Sequence, residues 1–268
     1  MSIVRYAEAG VAHQPSPSIW KDCPGERLVR DGVGLYFHED FLSSAVSATF
    51  VADMTIASGL FAFSGDAATV VTMKTGELGG WIDIETDGDN DDAWAIFTEP
   101  VARFVINSGR KVWLEAHFEI GDADIGQGFF FGLAEEAALA DIIVDGTAAL
   151  IGESYIGFRI LTGEDAIDFA YKLNGGTEVI VTSDVANDSI VPDNAALADD
   201  TPFKLGMRFD GKETVQIFVN GTKIHELTLS ASIFPDNVDM AVIMALKTDG
   251  AADSAAIDWI RLGHQRIV

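Results

Sequence analysis

The segment 203–229, FKLGMRFDGKETVQIFVNGTKIHELTL, constrains the fold more than any other stretch of the chain. Phe203, Leu205, Met207 and Phe209 alternate with Lys204, Gly206, Arg208 and Asp210, the period of two expected of a half-buried strand. Asp210-Gly211 supplies a tight turn. Val215, Ile217 and Val219 then alternate with Gln216, Phe218 and Asn220. Asn220-Gly221 is a hairpin signal, because both residues tolerate the positive φ of a type I′ turn. Residues 223–229 pair back, so the segment predicts a three-strand antiparallel meander.

From residue 48 onward the rest of the chain reads as further strands: 48–56, 68–75, two in 79–97, then 101–107, 111–120, 128–136, 155–162, 166–173, 177–182, 238–248 and 255–263. Residues 134–141 could add a helical turn or two. In the strand 111–120, Val112, Leu114, Ala116, Phe118 and Ile120 face one way, and Trp113, Glu115, His117 and Glu119 the other. Turn residues recur between the runs, helix is nearly absent, and no tandem repeat is visible. A closed barrel and a two-sheet sandwich both fit. The sandwich is favoured, since successive meanders supply long strands with one apolar face each.

Residues 1–40 are different. Pro15, Pro17 and Pro24 fall here with Gly10, Gly25, Gly32 and Gly34, and no periodicity is sustained, which predicts an extended arm. Trp20, Leu28, Tyr36 and Phe37 make it too apolar for a plain disordered tail. It is either a strap over its own domain or an arm docked on a neighbouring subunit, with Arg5, Trp20, Arg27 and Arg30 as the contact residues. The expected division is an arm over 1–40 and a β-sandwich domain over 41–268.

Composition excludes several classes. Seventeen basic against 42 acidic side chains give −25, and residues 1–38 are balanced, so the whole excess lies in the body. Such a surface repels phosphate backbones and disfavours nucleic acid as a partner. No apolar run reaches membrane-span length, and no secretory signal opens the sequence. Cys23 is the single cysteine, which excludes an intrachain disulfide and fits synthesis in a reducing cytosol.

Several segments together, GRKVWLEAHFEI, FGLAEE, YIGFRIL, FKLGMRFDGKETVQIFVNG and AIDWIRLG, resemble the concanavalin A-like (laminin-G-like) jelly roll over roughly residues 48–263. More narrowly, they look like the version carried by virion structural proteins of tailed bacteriophages. The resemblance implies an all-β antiparallel sandwich. It also implies a non-enzymatic capsid decoration or head-fibre subunit, made in the host cytoplasm and carried on the capsid surface. Its expected partners are the major capsid protein or other virion proteins and further copies of itself, a trimer being one arrangement. The arm would be the capsid anchor. The alternative is a carbohydrate-binding module or adhesin recognising a host-surface glycan.

Three groups of residues could carry chemistry. The glucanase relatives of this fold carry E-x-D-x-E on a strand, two carboxylates serving as nucleophile and acid. The nearest match is Trp81-Ile82-Asp83-Ile84-Glu85, where Trp81 occupies the first glutamate position, so no catalytic residues are assigned. Trp113, Glu115, His117 and Glu119 form a candidate glycan face, alternatively a polar outer face or a metal-holding group. The loop containing Asp87, Asp89 and Asp91 could hold calcium irregularly, although the EF-hand pattern fails at Asp92 and Thr98; a solvated acidic hairpin tip is the simpler reading. No other cofactor or metal is expected.

Overall fold

The computed structural model describes residues 14–41, 48–49, 54–58, 61–74, 80–86, 90–98, 104–107, 109–121, 128–135, 142–143, 149–161, 167–182, 201–229, 234–249 and 254–266. Two short helices, α1 (Pro17–Trp20) and α2 (Glu26–Arg30), precede β1 (Gly34–Glu39), β2 (Ala48–Thr49), β3 (Met54–Ser58) and β4 (Phe61–Gly65). Then come β5 (Val70–Met73), β6 (Ile82–Glu85), β7 (Asn90–Thr98), β8 (Phe104–Val105), β9 (Val112–Ile120) and β10 (Gly128–Glu135). The chain continues with β11 (Tyr155–Ile160), β12 (Asp168–Lys172) and β13 (Val179–Thr182). It ends with β14 (Phe203–Phe209), β15 (Thr214–Val219), β16 (Thr222–Thr228), β17 (Asp239–Asp249) and β18 (Ser254–Gln265).

These strands form two antiparallel sheets. Sheet A runs β16-β15-β14-β9-β18-β6-β5-β2, and sheet B runs β13-β12-β11-β10-β17-β7-β4-β3. The meander is β14-β15-β16, with Asn220 and Gly221 at φ 48° and 78°, the left-handed pair a type I′ turn demands. At the other turn Asp210 Oδ1 accepts the N–H groups of Lys212, Glu213 and Thr214. The expected single strand 48–56 is two short strands in different sheets. The strands flanking the acidic stretch also part company: β6 pairs with β5 and β18, whereas β7 pairs with β4 and β17. β6 and β7 therefore lie in different sheets and do not form a hairpin with each other. No helix among the described residues is long and apolar enough to cross a membrane.

The core lies between the sheets. Val112, Leu114, Ala116, Phe118 and Ile120 of β9 face Phe129, Phe131 and Leu133 of β10 and Val242, Met244 and Leu246 of β17. Phe118 is its aromatic hub, with ring centroids 4.5 Å from Phe203, 5.2 Å from Phe129 and 5.7 Å from Phe131. Unlike the expected strands with a single apolar face, β10 and β17 are buried on both. Phe130, Ala241, Ile243 and Ala245 point outward and pack under Ile142, Ile143, Leu150 and Leu161. Strands covered on both sides read as unbroken apolar runs, as in GFFFGLA and MAVIMAL.

The outer face of sheet A is covered as well, by residues 14–33. Ile19, Trp20 and Leu28 pack on Trp113 and Phe218, with Cys23, Val33 and Tyr36 at the edge. The chain then enters β1, which pairs with β18 from Gly34↔Gln265 to Glu39↔Ile260. Within the stretch expected as the arm, β1 is thus a strand of sheet A, and residues 14–33 are a strap over their own chain. Among the expected contact residues Trp20 is buried intramolecularly, Arg27 and Arg30 are exposed beside Asp31, and Arg5 lies outside the described residues.

Candidate functional site on the outer face of sheet A

Two of the three groups singled out for chemistry, the partial E-x-D-x-E and the candidate glycan face, lie on this face. The outward residues of β9 are flanked by Lys204, Gly206 and Arg208 of β14 on one side and by Ala256, Trp259, Arg261 and Gly263 of β18 on the other. None of the four expected glycan-face residues is open to solvent: Trp113, Glu115, His117 and Glu119 are at most 6% exposed. Alternation reports only that a residue points away from the core between the sheets. It does not report what lies on top.

One half of the face is occupied by the strap through a reciprocal pair of bonds. Trp20 of the strap donates its indole N–H to Glu115 Oε2 at 2.6 Å, and Trp113 of the sheet donates its own to Asp22 Oδ1 of the strap at 3.1 Å. Glu115 Oε2 also accepts the backbone N–H of Ser16 at 2.9 Å. Asp22 is held further by Arg208 at 2.6 Å and Lys111 at 3.4 Å. The Arg261 guanidinium lies 4.4 Å from the Trp20 ring centre and 5.1 Å from that of Tyr36. Burial pushes the Glu115 carboxyl above its ordinary range, against the hydrogen bonds from Ser16 and Trp20 and the charge of Lys204. The same burial lowers Lys204.

The other half carries a different cluster. Asp258 sits where the register of β18 against β9 shifts, a bulge between Ile257 and Trp259. Its Oδ2 meets His117 Nδ1 at 2.9 Å, a contact that orients the imidazole. Two indoles enclose that ring: Trp81, entering β6, at 5.1 Å, and Trp259 at 6.0 Å. His38 of β1 packs edge-on to the far side of Trp259 at 5.9 Å. Glu119 is ion-paired with Lys74, whose ammonium also lies 5.7 Å from the Trp81 ring centre. Ala256 pairs with Asp83 on one side and Glu119 on the other, so these two acids share a row across the sheet, about 10 Å apart. The cluster meets solvent at Lys74, half-buried Asp83 and exposed Glu85.

The partial E-x-D-x-E and the glycan-face residues, read separately in the sequence, are therefore brought to one surface, with Trp81 against His117. Sequence reasoning missed Lys74, Asp258, Trp259 and the strap's Asp22. A glycine within a strand signals close backbone approach, and Gly206 and Gly263 lie directly beneath the strap. Nothing in the sequence marks the bulge at Asp258. Among the described residues no group of three or more His, Cys, Asp or Glu is arranged to hold a metal ion. Asp87 and Asp89 lie outside the described residues, as does the side chain of Asp91.

No protein-family model and no curated protein matches the chain. Solved structures do. Peanut lectin aligns with a TM-score of 0.53 at 14% identity, covering 88% of this chain and 99% of that one. The fold is the concanavalin A-like jelly roll. LamA from Z. galactanivorans, in complex with laminaritriose and laminaritetraose, aligns at 0.50 and 10% identity, covering 87% and 99%. The potassium-bound carbohydrate recognition domain of Emp46p aligns at 0.50 and 12% identity, covering 76% and 88%.

Proposed function

We propose that this chain is a carbohydrate-binding module, with its ligand met at the solvent edge of sheet A, where Lys74, Asp83 and Glu85 border the buried His117 cluster. The observation that carries the reading is the group of Lys74, Asp83 and Glu85 at that edge, an ammonium beside two carboxylates, backed by the buried Trp81 and His117. Carboxylates and an ammonium at a sheet edge suit the hydroxyls of a sugar. That the same sandwich serves peanut lectin, LamA with its bound laminari-oligosaccharides and the Emp46p carbohydrate recognition domain supports the class. The acidic border and the charge of −25 favour an uncharged glycan over a sulfated or carboxylated one.

The module is read as non-catalytic. Trp81 replaces the first carboxylate of the partial motif, and Glu115 is committed to the strap. On a glycan microarray the full chain binds neutral oligosaccharides, and Lys74→Ala or Asp83→Asn lowers affinity about tenfold, roughly 1.4 kcal/mol. Both residues are partly exposed, but Lys74→Ala leaves the buried Glu119 without its ion-pair partner, so thermal midpoints are read alongside affinity and Asp83→Asn decides if the Lys74 variant unfolds. Absence of any glycan ligand, or binding indifferent to both substitutions, overturns the reading. Trp113→Ala is the wrong probe, since that indole is under the strap.

A second reading, a virion structural protein anchored through its leader, is favoured by the charge-balanced residues 1–38 on a strongly acidic body. Since residues 14–41 belong to the sandwich, the anchor in this reading is confined to residues 1–13.

A further inference from the structure

One end of the sandwich is open between the sheets. Phe209, at the end of β14 in sheet A, lines a cavity there together with Ile106, just past β8, and Phe234, ahead of β17, both on the sheet B side. With half-buried Leu229 they enclose about 270 Å³. Ile106, Phe209 and Phe234 are at most 4% exposed and belong to the core between the sheets, so the floor of the cavity is the core itself. The mouth is polar: exposed Lys212 and Glu213 stand on one lip and exposed Asp236 on the other. Both lips are fixed. Asp210 Oδ1 accepts the N–H groups of Lys212 and Glu213, and Gly109 N–H donates to the Gly211 carbonyl at 2.6 Å. Opposite, Asn237, at φ 59°, donates its backbone N–H to the Ile106 carbonyl at 3.1 Å and its Nδ2 to Asp236 Oδ2 at 3.2 Å.

The chemistry of the wall and mouth selects a ligand. Asn107, in the wall, donates Nδ2 to Asn237 Oδ1 at 3.0 Å, which leaves its own Oδ1 a buried acceptor with no hydrogen-bond partner among the described residues. Such an acceptor is costly to leave unmatched, so a ligand that brings an N–H fits it. The charges agree: two carboxylates against one ammonium at the mouth, on a chain of −25, favour a cation. Volume limits the apolar part, because drug-sized ligand pockets begin at about 300 Å³ and a smaller one suits a single ring or a branched alkyl group. We infer that this cavity is a second ligand site, which takes the apolar body of a small primary amine and holds its ammonium group at the mouth, between Glu213 and Asp236. The site is separate from the sheet A edge. Phe209 pairs with Val112 at the start of β9, and Glu119 lies about 24 Å further along that strand. The inference therefore does not depend on the carbohydrate-binding reading.

The test titrates the full chain at pH 7 with three probes of similar size, phenethylamine, 2-phenylethanol and 3-phenylpropionate, followed by backbone amide NMR shifts. The amine is expected to bind about tenfold tighter than the alcohol, and the carboxylate to bind weakest. Shifts are expected at Gly109, Gly211 and Asn237, whose amides tie the lips together. In the doubly substituted Glu213→Gln, Asp236→Asn chain, where both positions are exposed, the amine falls to the affinity of the alcohol. Leu229→Trp fills the cavity and abolishes binding of all three probes. Should that chain fail to fold, the wild-type shifts locate the bound amine. The assignment is overturned if the amine does not bind at millimolar concentration, or if the carboxylate binds as tightly as the amine. It is equally overturned by amine affinity unchanged in the neutralised chain, by binding that survives in folded Leu229→Trp, or by shifts that map away from the cavity.

Discussion

Replacing Glu115 by alanine tests whether the strap is fastened as its geometry implies. The substitution removes the acceptor for two buried donors, the Ser16 N–H at 2.9 Å and the Trp20 indole N–H at 2.6 Å. A buried donor left without a partner costs about 1–3 kcal/mol. Against this, the variant is relieved of a carboxyl group that burial disfavours in its charged form. The net loss is expected at about 3 kcal/mol, read at pH 7 as a lower urea midpoint with an unchanged slope. Glu115→Gln keeps an acceptor oxygen and is expected to lose about 1 kcal/mol or less. Hydrogen exchange locates the effect: Ile19, Trp20 and Cys23 lose protection in the alanine variant, and β10 does not.

The pH dependence carries a sign. The folded Glu115 carboxyl titrates above its usual 4.5, so its contribution to stability is present below that value and is lost as pH rises through the raised one. The stability of wild type relative to Glu115→Gln therefore falls with rising pH across that window. An alanine variant within about 0.5 kcal/mol of wild type, or one indistinguishable from the glutamine variant, would refute the fastening through Glu115.

His264 provides a second, opposite titration. Burial, with Arg110 and Arg266 nearby, lowers its imidazole from 6.5 to about 4, although Nε2 donates to the Val105 carbonyl at 3.1 Å. Its contribution is present above 6.5 and is lost as pH falls toward 4, on the order of 3 kcal/mol in full. His264→Gln, which does not titrate, should show no such loss when urea midpoints are compared across that range. Removal of residues 1–13 is expected to leave the thermal midpoint within about 2 °C, because every described strap contact, from the Gln14 carbonyl that accepts from Lys204 onward, is retained. Under the virion reading the same truncation releases the protein from particles. Unchanged retention on particles would count against that reading.

How much of this was legible in the sequence depends on what a period of two can report. Alternation along 203–219 and 111–120 identifies strands and the side that faces the core between the sheets, because an inward position must be apolar whatever else happens. It says nothing about a third layer. Glu115 alternates like a solvent-facing acid and is buried because Trp20 and Ser16, far away in sequence, supply its hydrogen bonds. The cover over sheet B left a plainer trace: with both faces dry, Phe129, Phe130 and Phe131 run together, and no polar position interrupts Val242 to Leu246. Over sheet A the trace is in what is missing, Gly206 and Gly263 in the middle of strands, where a side chain would strike Ile19 and Cys23. The site itself required pairing information that no single strand contains. Trp81 reaches His117 only because β18 lies between β6 and β9, and Asp258 reaches it only because β18 slips register beside Trp259. Residue types and local periods name the candidates, and the sheet order decides which of them meet.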